Sequence, residues 1–257
     1  MRETWVVAWN VFRQLLRNRI LAVLTLFAFV MVGVICFLGD LGQEAELRLA
    51  RDFGLLGIEI VGFLTVLLCH VVLLFEETGL KTYGILLVRP VERWQVLAGR
   101  TLGAILLALM NEFGMLALLA LLAWWRGLAI VDGELVVGAA YLALGVALFS
   151  PIAAFFGVLA SSVPVAATFA GFVYVLGHFT TNLLEWVQRM GNPGLQAVVK
   201  GMYYLAPNFS VFNLKEGLEQ TQSVPGWGVF LWPWGYALAY GGVVFLFALW
   251  RYERKDF

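Results

Sequence analysis

Six uninterrupted apolar runs, each near the length of a membrane crossing, limit what this chain can fold into. They cover residues 20–38, 54–75, 102–124, 135–159, 165–183 and 230–250. A helix rises ~1.5 Å per residue, so about 20 apolar residues cross ~30 Å of hydrocarbon. The runs are continuous rather than alternating, which favours helices over barrel strands. With 61% of 257 residues hydrophobic, 13% charged and a mean hydropathy of +0.86, the chain cannot clothe a soluble globule in polar surface. Lys+Arg and Asp+Glu both number 17, so net charge points neither to nucleic acid nor to an acidic partner. The expected fold is all-α and polytopic, a single transmembrane domain over 1–257 with six spanning helices.

Basic residues orient such a bundle. With the N-terminus in the cytoplasm, eleven of the seventeen Lys and Arg fall in inner segments, from Arg2 through Arg89, Arg93 and Arg100 to Lys255. Six fall outside, which by the positive-inside rule places both termini in the cytoplasm. All ten tryptophans sit near expected span edges, as an aromatic belt requires. Ser150-Pro151 predicts a kink in the fourth span, and the five residues 160–164 force the fourth and fifth into an antiparallel hairpin. No small-x-small cleavage site follows the first run, so the N-terminus reads as retained.

Residues 3–19 are too polar to span. Trp5, Trp9, Phe12 and Leu16 repeat at helical spacing with arginines elsewhere, which describes an amphipathic helix lying in the interface. The longest polar segment, 185–228, lies outside before the last span. There Pro207-Asn208 marks a turn, Asn213 suits the cap of a short helix over 214–220, and the whole reads as short helices over the outer mouth. Asn208-Phe209-Ser210 matches a glycosylation pattern, a weak signal alone.

Polar residues within the spans are candidate pathway groups. Asn111-Glu112 sits mid-way along the third span, where a carboxylate costs about 2.5–3.5 kcal/mol to insert. It must face the bundle, a partner or water, as a gate or as a helix-packing hydrogen bond. His178, Asn182 and Glu185 share a helical face toward the outer end of the fifth span, fitting either an exit site or interfacial solvation. Cys36 and Cys69 lie in spans and read as packing residues, and Cys69-His70 point about 100° apart, a poor chelate. Gly99 and Gly103 form a G-x-x-x-G, suited to close helix contact within the subunit or across a dimer. No internal repeat supports an inverted-repeat carrier.

One segment breaks the apolar pattern with a dense polar cluster. Residues 75–100 read FEETGLKTYGILLVRPVERWQVLAGR. Glu76 and Glu77 stand where a helix N-terminus favours negative charge. Leu80, Tyr83 and Leu87 recur on one face, and Pro90 stops helix before Arg89. The expectation is a short cytoplasmic helix lying across the membrane surface between two spans.

Glu76-Glu77-Thr78-Gly79, the apolar stub ending Leu86-Leu87, Arg89-Pro90-Val91-Glu92-Arg93 and Gly99-Arg100 together resemble the first cytoplasmic segment of ABC-2-type ABC transporter permeases. Those run E-x-E-x-G-T, a leucine-rich stub, P-V-S-R and G-K. This chain has Leu80 for the Thr, Glu92 for the Ser and Arg100 for the Lys. The interfacial "elbow" helix, the six spans, the longer outer loop and the short basic tail match in layout. The stretch YYLAPNFSVF is similar to permeases associated with multicopper or nitrous-oxide reductase maturation.

The resemblance implies a non-catalytic exporter subunit in a bacterial inner membrane, paired with a second permease, as a homodimer. Two separate ATPase subunits would carry ATP and Mg, since the chain has no G-x-x-x-x-G-K-[ST] of its own. Glu76, Glu77, Gly79, Leu80, Tyr83, Leu87, Arg89, Pro90 and Arg93 would form the docking segment. Lipid, and an envelope protein outside, complete the partners; the cargo is unspecified. A secondary carrier or channel using Glu112 is the alternative. An intramembrane enzyme would have to draw on His70, Glu112, His178 and Glu185, which lie at different depths.

Overall fold

The computed structural model describes residues 2–16, 29, 33, 43–80, 92–125, 133–180, 193–212 and 226–254, without the side chains of 2, 43–50, 72, 74–80, 122–123, 133–134, 202 and 226–230. Among these the chain is all helix and short links. Seven α-helices follow in order: α1 Arg2–Leu16, α2 Gln43–Leu80, α3 Arg93–Trp125, α4 Gly133–Leu159, α5 Val163–His178, α6 Pro193–Leu205 and α7 Gly226–Glu253. A 3₁₀ turn, Ser210–Phe212, stands between the last two.

Four of these, α2, α3, α4 and α7, are long and apolar enough to cross a membrane. They contain the expected runs 54–75, 102–124, 135–159 and 230–250. The expected first span, 20–38, falls almost wholly outside the described residues. The fifth run yields a helix of 16 residues, about 24 Å long and shorter than the hydrocarbon layer.

Helix α4 organises the rest. It is apolar on every side, as a helix buried in protein or lipid can be. It packs against α2, α3, α5 and α7. Tyr141, Val146, Leu148, Phe149, Ile152 and Ala153 make it the centre of the main core, with Val66 from α2, Ala108 from α3 and Ala170 from α5. It runs on as helix through Pro151, and the Ser150 hydroxyl donates to the Thr101 carbonyl of α3 at 3.2 Å. Residues 160–162 turn the chain back into α5. The ring pairs Phe156–Phe169 and Phe149–Tyr174 show that the two helices run antiparallel, as the short link demands.

Helix α2 is 38 residues long, about 57 Å of helix against ~30 Å of hydrocarbon. Residues 76–80 are its final turns. This corrects the expectation that Glu76 and Glu77 open a separate helix. Both are adequate helix formers, and no breaker precedes Gly79, so the helix continues through them. The rest of the expected transverse stub, with Tyr83, Leu87, Arg89 and Pro90, lies outside the described residues. Helix α3 starts after a cap: the Glu92 N–H donates to Gln95 Oε1 at 3.1 Å, and the Glu92 carbonyl accepts from the Gln95 N–H at 3.0 Å.

Helix α1 lies along the first turns of α3. Its buried face is Thr4, Ala8, Val11 and Leu15, one residue before each member of the aromatic stripe. Trp5, Trp9 and Leu16 stay exposed, and Arg13 sits over the Trp9 ring at 5.1 Å. The packed face uses small residues because Gly99 and Gly103 bring the two helices close. A Cβ on Gly99 would stand 3.0 Å from the Thr4 carbonyl, and one on Gly103 would stand 2.9 Å from that of Ala8. The G-x-x-x-G thus works within the subunit. Val11 and Leu15 continue the contact into Cys69, Leu73, Ala104 and Leu107. Each of the eight tryptophans with described side chains is exposed, and all but Trp9, at the middle of α1, lie toward helix ends.

Gly103→Leu would press a branched side chain into backbone that cannot retreat, a cost of about 1–3 kcal/mol. Hydrogen exchange over residues 2–16 is expected to accelerate about tenfold or more, with 133–159 unchanged. Equal exchange in both proteins would show that α1 does not depend on this contact.

Candidate functional site

Glu59 lies on α2, inside an otherwise apolar stretch, and faces α5. Its Oε1 meets His178 Nε2 at 2.5 Å and accepts the Tyr174 hydroxyl at 3.1 Å. Tyr174 and His178 are one turn apart on α5, so a single helix face supplies both. His178 Nδ1 is 3.1 Å from the Tyr174 carbonyl, which can only accept, so that nitrogen carries a hydrogen. The bond from Nε2 to Glu59 then contains one further proton, shared between imidazole and carboxyl. Either placement leaves the pair neutral as a whole, which suits its partial burial.

The next level is Gly62, three residues along α2. The carboxyl of Glu112, from α3, lies directly against it: a Cβ at Gly62 would overlap that carboxyl and stand 2.9 Å from Val146. Glu112 is 6% exposed, and neither carboxyl oxygen has a hydrogen-bond partner among the described residues. One turn further, Asn111 Nδ2 donates to Thr65 Oγ1 at 3.0 Å, and that hydroxyl donates to the Val61 carbonyl at 2.7 Å. Asn111 is thus a helix-to-helix hydrogen bond, while its neighbour Glu112 is not. Glu59, Gly62 and Thr65 form a ladder of three levels, each about 4.5 Å apart along α2.

Above the first level lies a small cavity of about 20 Å³, lined by Glu59, Tyr174, Val146 and a group of phenylalanines that includes Phe209 and Phe212. The last two arrive on the segment after α6. There Asn208 Oδ1 accepts the Ser210 N–H at 3.0 Å and the Ser210 hydroxyl at 2.5 Å, with the Thr180 hydroxyl 3.1 Å away. This turn holds Phe209 against Gly177, whose carbonyl accepts the Phe209 N–H at 3.1 Å. The C-terminal carbonyl of α5 thereby finds a donor that the helix itself does not supply. Phe209 stacks on the His178 ring, centroids 5.6 Å apart. Tyr236 and Tyr240 of α7 bind the same segment through the Asn208 N–H and the Leu205 carbonyl, each at 2.8 Å.

The structure therefore brings Glu112 and His178 toward one seam, through Glu59, and gives Asn111 a structural bond. Asn182 and Glu185 lie outside the described residues. Of the expected docking residues, Glu76, Glu77, Gly79 and Leu80 end α2, and Arg93 donates from Nη1 to the Glu253 carbonyl at 3.0 Å, tying the start of α3 to the end of α7. His70 Nδ1 lies 2.9 Å from the Val66 carbonyl of its own helix, and Cys69 packs among apolar side chains. Among the described residues no three His, Cys, Asp or Glu side chains group as metal ligands would. Neither Glu59 nor Tyr174 is singled out in the sequence, and Asn208 is marked there only as a turn and a glycosylation match. For Glu59 the signal was present, a single acid inside the run 54–75. No protein-family model and no curated protein matches this chain, so its function is argued from residues and geometry.

Asn208→Ala removes the acceptor around which the 206–212 segment turns, at a cost of about 1–3 kcal/mol for the stranded donors. Hydrogen exchange of that segment is expected to rise, while Asn208→Asp, which keeps the oxygen, stays close to the parent. Unchanged exchange in the alanine variant would refute the hub role.

Proposed function

We propose that this chain is the membrane-spanning subunit of an ATP-driven exporter of the ABC-2 type. Two copies would form the membrane core in an inner membrane, termini in the cytoplasm, and two separate ATPase subunits would bind ATP and Mg. The chain itself carries out no bond chemistry. An envelope partner would meet the 185–228 side.

The observation that carries this reading is the convergence of helix ends around the segment that resembles a docking element. Residues 81–91 join the end of α2 to the start of α3. The start of α3 is held to α1 by the Gly99–Gly103 contact and to the end of α7 by the Arg93–Glu253 bond. A load applied there reaches four helices at once, as ATP-driven closure of docked subunits would require. The buried carboxyl of Glu112 favours a second reading, a carrier driven by an ion or proton, in which transport proceeds without any ATPase.

Glu77→Lys, Arg93→Glu and Tyr83→Pro are each expected to lower recovery of the cognate ATPase with the tagged chain by about tenfold, equivalent to 1.4 kcal/mol, with membrane insertion intact. Undiminished recovery in all three would overturn the docking role. Transport in vesicles holding this chain alone would favour the carrier instead.

A further inference from the structure

Glu112 does nothing for packing that glutamine or leucine would not do at lower cost. A carboxyl buried without a donor is expensive when charged, and an acid within an apolar run is a functional group by default. Its surroundings are specific. Gly62 of α2 leaves room for the carboxyl, and Val146 of α4 closes the same point. The Glu59 carboxyl stands one turn along α2. From α5, His178 and Tyr174 face Glu59, and from the 206–212 segment Phe209 and Phe212 cover the cavity beside it. On α3 itself Asn111 is turned away to Thr65. Arg51 and Asp52, the next charged residues toward the start of α2, lie about two turns from Glu59.

Exposure rises in one direction through this cluster. Glu112 is 6% exposed, the Glu59 side chain 27% and that of His178 32%. The cavity beside Glu59, at about 20 Å³, exceeds the roughly 10–15 Å³ a water needs, and Glu59 and Tyr174 offer it polar partners.

We propose that Glu112, Glu59 and His178 form a proton-binding site opening toward the His178 end, with Glu112 as its buried position. In the exchange step the Glu112 O–H bond breaks and its proton is taken up by the Glu59 carboxylate, one turn along α2. Glu112 is left as the anion, and the Glu59–His178 pair gains one positive charge. His178, with its side chain 32% exposed, then gives a proton to water at the open end, so the cluster as a whole loses one proton and one unit of charge. No oxidant, metal or nucleotide takes part, so the site is independent of the ATP-driven reading and is present in the chain alone.

The test is infrared difference spectroscopy across a pH series on the full chain in lipid nanodiscs, without ATPase. A protonated-carboxyl C=O band is expected to titrate in the parent, to persist in Glu59→Gln and Glu112→Asp, and to vanish in Glu112→Gln. His178→Gln keeps Glu112 intact and is expected to move the titration midpoint by about one pH unit or more, a tenfold change in proton affinity. This variant keeps the proposal falsifiable if Glu112→Gln fails to fold. A band unchanged in Glu112→Gln, or a midpoint equal in the parent and His178→Gln, would overturn the proposal.

Discussion

The rest of the bundle depends on α4 having no polar face. A helix apolar all round can be covered by protein or by lipid, and here four others pack on it. Between helices in lipid the hydrophobic drive is small, and association rests on close packing and a few polar contacts. The structure shows both. Ala108, Ala153 and Ala170 pack into the core around α4, and Ser150 reaches the Thr101 carbonyl. At the α1–α3 contact, glycines replace alanines and the backbones come closer still.

Several polar groups meet in the seam where α2 faces α3 and α5. Three levels along α2 are filled there in different ways. Glu59 has two partners, Thr65 is bonded to Asn111, and at the glycine between them Glu112 has none among the described residues. A helix-packing device would satisfy all three levels. The middle one, without a partner among the described residues, is the exception to that pattern. The aromatic segment at 207–212 shields this seam and is itself held by Asn208 and two tyrosines of α7, so the seam's cover and the outermost helix are mechanically joined.

The long helices were legible because continuous apolar runs have one stable outcome in lipid, and those at 135–159 and 230–250 differ from α4 and α7 by a few residues. The early end of α5 was not legible. Pro207 and Phe209, some thirty residues away, occupy the space beside Gly177 at that end. The buried face of α1 was equally hidden. Two stripes share the helical spacing there, and Gly99 and Gly103 on another helix decide that the smaller one packs. Glu76 and Glu77 looked like a helix start because charge was weighed above continuity, whereas a run of helix formers simply lengthens the helix before it. Glu59 could have been found by treating every acid inside an apolar run as Glu112 was treated.

In the proposed function the core is loaded from the side where α2 and α3 are joined, and it carries, separately, a polar seam between α2, α3 and α5. Photo-crosslinking most directly tests which surface receives that load. A photoreactive residue at Tyr83 should label the ATPase subunit in intact membranes, and the same probe at Tyr204, fully exposed on α6, should not. Labelling from Tyr204, or none from Tyr83 in a complex that hydrolyses ATP, would contradict the account.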